Sequence, residues 1–355
     1  MDRLSDEAPT PIRNGYGAGL LAVADRHPNV VALDADLGGS TRGAWFAEEY
    51  PDRHFDVGIA EQDLIVTAAG LATVGFQPFA GTFATFSLRG TEQIRNAVAR
   101  PDLPVTVVGS HGGLATGADG ASAQAVEDLA VYRAIPNTVV LSPGDAFEAA
   151  GFVERLAIHD GPAYLRLVRE PTPVLFGPSR RPELGGSVRL RDGSDVTLAA
   201  HGAATRVVRD AADRLADRGI DARVLHCPSI KPLDAAAIRR AADETRAVIT
   251  VEDHSVIGGL GGAVAECLDE HPTPVTRIGV DDEFGESGDP DALYDHHGLT
   301  PAAVAATVER RLNGTEESSG GGIERSERVE EASNDGRAER NERSGEERRT
   351  TSGTE

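Results

Sequence analysis

The hydrophobic pattern of the first half of the chain alternates short apolar runs with longer helical stretches. Four runs rich in β-branched residues each end in a polar loop: VVALDADLG at 30–38, LPVTVVGSHGG at 103–113, NTVVLSPGD at 137–145 and PAYLRLVRE at 162–170. Apolar β-rich runs that alternate with helices are typical of a parallel α/β sheet. Ligands of such sheets bind beyond the carboxyl ends of the strands, so these loops are the first candidates for a functional site.

The second half repeats the pattern after a stretch rich in proline, glycine and arginine. Strand-like runs such as DVTLAAHG and AVITVEDHS alternate there with helical runs such as ATRVVRDAADRLADRG. We therefore predict two doubly wound α/β domains, at 11–172 and 187–312, joined by a linker at 173–186. Residues 313–355 are almost without apolar side chains and cannot bury a core, so we expect a disordered acidic tail there.

Composition narrows the function classes. The formal net charge of −22 argues against a nucleic-acid partner, because such proteins set basic patches against phosphates. Lysine occurs once, at Lys231. An excess of acidic residues with so little lysine indicates a protein from a salt-rich cytoplasm. At about 1 M salt the Debye length is only ~3 Å, which screens the repulsion of an acidic surface. No apolar run has the length of a membrane span and no signal-peptide core is seen near Met1, so we expect a cytoplasmic protein without a membrane partner.

The stretch DVGIAEQD at 56–63 places the carboxylate of Glu61 at the start of an almost uncharged run, LIVTAAGLATVGFQPFAGTF. A carboxylate before an apolar helix commonly caps free N–H groups and meets the positive end of the helix dipole. A buried carboxylate can instead be functional, because desolvation favours its protonated form. The stretch alone leaves both interpretations open.

Five motifs occur in a recognisable order: VVALDADLGGST, FDVGIAEQD, PFAGTFATF, VGSHGGLATGADGASAQAVEDLA and IPNTVVLSPGD. Together they resemble the C-terminal half of transketolases, over roughly residues 11–312. That resemblance implies a pyrimidine-binding domain for thiamine diphosphate, followed by a transketolase C-terminal domain.

The resemblance also implies a second chain. Whole transketolases carry an N-terminal domain whose GDG motif and downstream asparagine hold magnesium and the diphosphate, and this sequence has no GDG motif. We therefore expect the second subunit of a split transketolase, which transfers a two-carbon ketol unit between sugar phosphates. It would share thiamine diphosphate with an N-terminal subunit, hold no metal itself and leave magnesium to that partner. A heterotetramer built through a dimer of this chain is expected.

Four residues match the family's positions around the cofactor. The glutamate of VGIAEQ faces N1′ of the aminopyrimidine ring in the family, and Glu61 matches this catalytic residue. Its shared proton favours the imino form of the 4′-amine, which removes the proton from C2 of the thiazolium. Phe83 and Phe86 in GTFATF match rings that lie against the pyrimidine, although both also suit an ordinary core. Asp36 in LDADLG matches a loop near the thiazolium, where a loop-capping role is an equal alternative.

Five further residues match the family's substrate-binding positions. By resemblance, Arg13, Ser40, His111 and Arg169 hold the substrate phosphate, and Asp119 in GADG meets a sugar hydroxyl. Arginine suits the phosphate because its planar fork binds oxyanions through two hydrogen bonds. An arginine taken alone is more commonly a solvated surface charge, so these assignments depend on the motifs around them.

Two positions depart from the family pattern. The family commonly has D-G-x-[ST]-H-Q where this chain has DGASAQ, so Ala123 replaces a histidine that would donate to the substrate carbonyl or hydroxyl. Arg89 stands where many relatives have an aromatic residue. These departures leave the exact sugars open and keep three alternatives: half of a deoxyxylulose-phosphate synthase, a 2-oxoacid dehydrogenase beta chain, or a non-catalytic remnant.

A glycine-rich stretch and two cysteines are assigned structural roles. GGLGGAVAE at 258–266 does not fit G-x-G-x-x-G, so we expect it to permit close helix–strand packing. Cys227 and Cys267 have neither a disulfide framework nor metal-type spacing, and His226 beside Cys227 is expected to be structural.

Overall fold

The computed structural model describes residues 3–317, so the first two residues and residues 318–355 lie outside the described part. The strands are β1 (Thr10–Pro11), β2 (Val30–Asp34), β3 (His54–Asp56), β4 (Gln77–Phe83), β5 (Thr106–Ser110), β6 (Val139–Leu141), β7 (Ala163–Arg166), β8 (Pro171–Thr172), β9 (Val188–Arg191), β10 (Val196–Ala200), β11 (Ala222–His226), β12 (Ser229–Lys231), β13 (Val248–Ser255) and β14 (Val275–Val280). The helices are α1 (Ile12–Ala24), α2 (Gly38–Thr41), α3 (Gly43–Glu49), α4 (Glu61–Thr73), α5 (Ala84–Ser87), α6 (Thr91–Gln93), α7 (Asp128–Ala134), α8 (Ala146–Leu156), α9 (Ala204–Ala216), α10 (Ala235–Glu244), α11 (Leu260–Cys267), α12 (Pro290–His296) and α13 (Pro301–Glu317).

The first domain is built on a seven-stranded sheet in the order β12-β6-β7-β5-β4-β2-β3. Neighbouring strands run parallel except β12, which pairs antiparallel with β6. Strands β2, β4, β5, β6 and β7 are buried along their whole length, as unbroken apolar runs predict for a parallel sheet covered by helices. The predicted α/β architecture of this half is confirmed.

The second domain has a five-stranded sheet in the order β14-β13-β10-β11-β9, parallel except for β9 at one edge. The predicted strands in DVTLAAHG and AVITVEDHS are present as β10 and β13. The glycine-rich stretch leads into α11, where a Cβ at Gly261 would lie 2.8 Å from Oγ1 of Thr250 in β13. This close helix–strand packing agrees with the structural role expected of GGLGGAVAE.

The start of α1 is fixed by glycines that face α8. A Cβ at Gly15 would lie 2.0 Å from the carbonyl oxygen of Ala146, and one at Gly19 would lie 2.7 Å from Cβ of Val153. Only glycine permits this approach of the two helices. The packing therefore sets the first turn of α1, and with it Arg13, beside the loops that follow the strands.

A buried arginine connects the two domains. Arg166, at the end of β7, is 1% exposed, and its Nε donates to Oδ2 of Asp128 at 2.9 Å. Its Nη2 donates to the carbonyl oxygen of Asp253 in the second domain at 2.8 Å. The Asp253 carboxylate accepts the backbone N–H of Leu114 at 2.8 Å. The second domain thus supports the loop that follows β5.

The last described helix, α13, begins at Pro301 and continues to Glu317, five residues past the predicted end of the second domain at Leu312. The remainder of the predicted tail lies outside the described residues. Among the helices described here, none has both the length and the apolar character needed to cross a membrane.

Candidate active site at the carboxyl edge of the first sheet

Loops from four adjacent parallel strands leave one edge of the first sheet side by side. Strands β7, β5, β4 and β2 are neighbours in that order. The predicted site residues lie in or beside these loops: Asp36 and Ser40 after β2, Phe83 and Phe86 at the end of β4, His111 and Asp119 after β5, and Arg169 after β7. Glu61 and Arg13 join them from the first turns of α4 and α1. The sheet order therefore brings distant sequence motifs to a common edge.

Glu61 is the first residue of α4, and its side chain is only 3% exposed. Arg89, in the turn Leu88–Gly90, donates from Nη1 to Oε2 of Glu61 at 3.2 Å, and its own side chain is 63% exposed. The turn approaches α4 closely at Gly90, where a Cβ would lie 3.0 Å from Cγ1 of Ile65. The sequence predicted a carboxyl group among apolar neighbours. The structure adds a guanidinium, which pairs with this carboxyl group.

Three rings form a stack at the carboxyl ends of β4 and β5. The Phe83 ring lies 3.8 Å from the His111 ring between centroids, at an interplanar angle of 21°. It also stacks on Phe86, with centroids 5.2 Å apart and an angle of 11°. Phe83 is buried against both neighbours, whereas Phe86 is half-buried. Phe86 therefore offers the more accessible face for a flat ligand.

His111 is a neutral imidazole held by two neighbours. Burial, followed by the charges of Arg13, Arg169 and Arg42, lowers the pKa of His111 to about 3. Since Arg13 can only donate, Nε2 of His111 accepts from Arg13 Nη1 at 3.3 Å, which leaves the proton on Nδ1 to donate to Oγ of Ser110 at 2.8 Å. The backbone of His111 is left-handed, with φ of 60°, which turns the chain sharply after β5.

Three arginines converge around this histidine. Arg13 donates from Nη1 to the backbone carbonyl of Ser40 at 2.9 Å, so Ser40 contributes its main chain here. Burial, then the charges of Arg42 and Arg169, lower the pKa of Arg13 to about 10. At Arg13 the repulsion from these two arginines outweighs the opposing charge of Glu170, so the cluster is positively charged. A phosphate dianion is the natural complement of such a cluster.

Arg42 was not predicted from the sequence. It lies directly after the GGST of α2, in a left-handed conformation with φ of 82°, and its Nε donates to Oδ1 of Asn14 at 2.8 Å. Its position two residues after Ser40 was the sequence signal that could have suggested a role for Arg42 in the site. Nothing in the local pattern distinguished this arginine from a surface charge, because its direction depends on the left-handed turn.

Asp119 and Arg169, both predicted to bind substrate, form an ion pair with each other. Nη1 of Arg169 donates to Oδ2 of Asp119 at 3.2 Å and to the carbonyl oxygen of Thr116 at 3.4 Å. Both charged side chains are more than a third exposed, so this pair contributes little to folding and can open to a ligand.

The loop after β2 is held by a different aspartate from the predicted one. Asp34 is fully buried, accepts from Oγ1 of Thr41 at 2.7 Å and contacts Nε2 of His54 at 2.9 Å. Burial raises the pKa of Asp34, and these hydrogen bonds oppose the rise. The predicted Asp36 is exposed with φ of 58°, and its backbone N–H donates to the Asp56 carboxylate at 3.0 Å. The carboxylate of Asp36 is thus left accessible for a ligand.

Ala123 lies in the segment that follows Asp119 and is 6% exposed. Its N–H donates to the carbonyl oxygen of Gly120 at 3.0 Å. The next residue, Gln124, donates from Nε2 to the carbonyl oxygens of Gly117 at 3.0 Å and Glu286 at 2.9 Å. The turn that carries the Ala123 methyl group is therefore held by hydrogen bonds at Ala123 and at Gln124.

Family models match both predicted domains. The model for the transketolase pyrimidine binding domain matches residues 9–173, and that for the transketolase C-terminal domain matches residues 185–304. This chain belongs to the transketolase family. The resemblance inferred from the five motifs is therefore confirmed.

Relatives of similar length are sections or subunits of transketolases. The chain is 42% identical over 306 residues to a putative transketolase C-terminal section of Methanocaldococcus jannaschii, which covers 85% of this chain and 96% of the relative. It is 40% identical over 307 residues to a 6-deoxy-6-sulfo-D-fructose transketolase subunit of a Clostridium species, covering 85% and 95%. A solved structure described as a split gene transketolase, inactive beta4 tetramer, is similar with a TM-score of 0.80 and 45% identity, covering 85% of this chain and 98% of the other.

The residues of this transketolase-family edge fit the pyrimidine half of thiamine diphosphate. A buried carboxylate at a helix start, paired with the largely exposed Arg89, can bind a ring nitrogen once that arginine moves aside. The half-buried Phe86 supplies a flat apolar surface close by. The fit is therefore to one half of the cofactor.

Proposed function

We propose that this chain is the pyrimidine-binding subunit of a thiamine-diphosphate-dependent transketolase, which transfers a two-carbon ketol unit between sugar phosphates. The observation that carries the proposal is the meeting, at one sheet edge, of buried Glu61 and the arginine cluster around His111. A site for the cofactor's pyrimidine and a site for a phosphate are thereby joined through the ring stack of Phe83.

Each part of the edge has a role in this proposal. Thiamine diphosphate, when bound, supplies the carbon centre that takes up the ketol unit. Glu61 would hold a shared proton at N1′ of the pyrimidine, in a position from which water is excluded by burial. Phe86 would orient the ring by stacking. The substrate phosphate would lie against Arg13, Arg42 and Arg169.

The second chain is part of the proposal. An N-terminal subunit would hold magnesium and the diphosphate, and the catalytic assembly would be a hetero-oligomer. The similar split-gene protein is described as an inactive beta4 tetramer, which supports the idea that this chain alone is likewise inactive. A cytoplasmic location suits sugar phosphate substrates.

Reconstitution tests the proposed function. The full chain is purified alone and with its N-terminal partner, in high salt, and ketol transfer is measured with a panel of donors that includes xylulose 5-phosphate and pyruvate. We expect transfer only from the pair, and only with thiamine diphosphate and magnesium. Use of pyruvate alone would support the synthase or dehydrogenase alternatives, and a silent pair that binds cofactor normally would support a non-catalytic remnant.

Calorimetry tests the two-chain arrangement independently of the reaction that the enzyme catalyses. We expect no tight binding of thiamine diphosphate to the chain alone, because the proposed N-terminal subunit would hold the diphosphate and the metal. Micromolar binding without a partner would contradict the two-chain arrangement while leaving the reaction class open.

A further inference from the structure

A second cluster of chemically active side chains lies in the C-terminal domain. Glu283 belongs to the segment between β14 and α12, His296 is the last residue of α12, and His297 follows it. Each side chain offers one ligand atom, and the three atoms lie within 4.8 Å of one another. The cluster belongs to the other domain from Glu61 and takes no part in the proposed transfer.

His297 is the buried member of the cluster. Its side chain is 3% exposed, and its Nδ1 lies 3.4 Å from Oε1 of Glu283, which is longer than an ordinary hydrogen bond. Its Nε2 has no hydrogen-bond partner among the described residues. The nitrogen that faces Glu283 is Nδ1, so this is the atom that an ion shared with Glu283 would bind.

The spacing suits a shared ion. Zinc bonds to nitrogen and carboxylate oxygen are about 2.0–2.2 Å long, which places two tetrahedral ligands about 3.4 Å apart. The Glu283–His297 separation of 3.4 Å has this value. The rings of His296 and His297 meet edge to face at 88°, with centroids 4.9 Å apart, so they are not stacked face to face.

We propose that Glu283, His296 and His297 form a binding site for a divalent transition metal of the zinc class. Two imidazoles and a carboxylate suit zinc, cobalt or nickel, whereas magnesium and calcium prefer oxygen ligands throughout. His296 and Glu283 are exposed, so the ion has access from solvent and water can complete its coordination. The stretch 281–297 contains seven acidic residues and no lysine or arginine, which favours a cation.

The site would fasten a segment that supports the substrate loop. The carbonyl oxygen of Glu286, three residues after Glu283, accepts from Nε2 of Gln124. A Cβ at Gly120 would lie 2.4 Å from Oγ of Ser287, so the two segments are in close contact. A metal bound at Glu283 would therefore steady the turn that carries Ala123.

Metal titration of the full chain tests the proposal. After chelation and desalting, Zn²⁺ is titrated by calorimetry and Co²⁺ by visible absorption. We expect one equivalent bound with micromolar or tighter affinity, a rise of several degrees in Tm on Zn²⁺ addition, and slower amide exchange in residues 117–124. His296→Ala and Glu283→Gln each should weaken Zn²⁺ binding at least tenfold. Because both side chains are exposed, neither change should unfold the chain.

His271→Ala is the matched control. His271 also contacts a carboxylate, with Nε2 3.0 Å from Oδ1 of Asp243, but this pair is not part of the three-residue cluster. Zinc affinity should be unchanged in this variant. Binding weaker than micromolar in the parent, or equal loss in His271→Ala and His296→Ala, would overturn the proposal. So would unchanged affinity in both His296→Ala and Glu283→Gln.

Discussion

Nη1 of Arg89 lies 3.2 Å from Oε2 of Glu61, so the carboxylate that the proposed mechanism needs is paired with an arginine in this chain. The carboxylate is almost wholly buried and the guanidinium is largely exposed. A buried charge without a partner is costly, whereas an exposed arginine can leave with little loss. The pair can therefore protect Glu61 in the free chain and open when a pyrimidine ring arrives.

Arg89→Gln tests whether the pair must open. Removing the guanidinium frees the carboxylate for the cofactor, and solvent around the exposed Arg89 should keep the contribution of the pair to about 1 kcal/mol. We expect the Kd of the reconstituted enzyme for thiamine diphosphate to fall about two- to fivefold, measured by calorimetry. Arg95→Gln is the control, because Arg95 is an exposed arginine six residues further along the chain. Weaker cofactor binding by Arg89→Gln would mean that Arg89 assists the bound state.

Glu61→Ala tests the proton position at N1′. Acid–base contributions are typically ~10²–10⁴-fold in rate, and we expect kcat of the reconstituted enzyme to fall within that range with cofactor at saturation. Folding and subunit assembly should be nearly intact, as judged by Tm and size-exclusion chromatography. Asp63→Asn, an exposed acid in the same first turn of α4, should keep parent activity. Activity of Glu61→Ala within a few-fold of the parent would remove Glu61 from the mechanism.

Arg13→Gln tests the phosphate site. Charged hydrogen bonds contribute about 1.5–3 kcal/mol each, which corresponds to roughly a 10- to 100-fold loss of kcat/KM for a phosphorylated donor. A short ketol donor without phosphate should change less than about threefold. Arg26→Gln, exposed just beyond the other end of α1, should affect neither donor. Equal losses for both donors would show that Arg13 acts on the fold or on the cofactor.

His111 predicts a pH dependence of stability. Its pKa is about 3 in the folded chain and 6.5 in the reference state, so between these values the unfolded chain binds a proton that the folded chain does not. Stability from this group is therefore complete above about pH 6.5 and is lost as pH falls towards 3. Chemical unfolding should show a pH slope up to about 1.4 kcal/mol per unit steeper in the parent than in His111→Gln.

The control for this prediction is internal. Burial also lowers the pKa of His201 to about 3, and this group contributes equally to both chains, so it cancels in the comparison. The slopes are compared between about pH 4 and 6.5, a range that lies between the folded and reference pKa values of His111. Equal slopes for the parent and His111→Gln would show that the fold does not keep this imidazole neutral.

Most of the fold followed from the sequence because the central strands are buried on both faces. Strands β2 and β5 are buried along their whole length, as is typical of a parallel sheet that helices cover on both faces. The strand β12 was not predicted, because its three residues pair antiparallel with Leu141 and Val140 of the other domain. Long-range pairing of this kind leaves no local periodicity. The short strand β3 was missed for a related reason, since it is an edge strand of intermediate to exposed residues.

The site was only half predictable. The motifs singled out Arg13, His111 and Arg169 individually as candidates, and the sheet order explains why these three lie close together. The contact of Arg89 with Glu61 spans 28 residues and depends on a turn that approaches α4 at a glycine. Such a contact arises from tertiary packing, which spacing in the sequence does not encode.

Ala123 is expected to determine which sugar serves as the ketol donor. A missing imidazole leaves the substrate carbonyl one hydrogen-bond donor short, a loss of roughly 0.5–1.5 kcal/mol where water replaces it and more where water cannot. The turn that carries Ala123 is pinned by Gln124, so the backbone should not move to compensate. We therefore expect a natural donor with a bulkier or less polar group in that space.

Ala123→His measures this directly in the reconstituted enzyme. We expect kcat/KM to rise for xylulose 5-phosphate and to fall for the preferred donor found in a panel of unusual ketoses, because the imidazole restores one contact and fills the space that the other donor uses. Ala121→His, exposed two residues earlier, should alter neither value. If Ala123→His improves every donor by the same factor, the specificity is unchanged and Ala123 marks only a weakened form of the family's usual site.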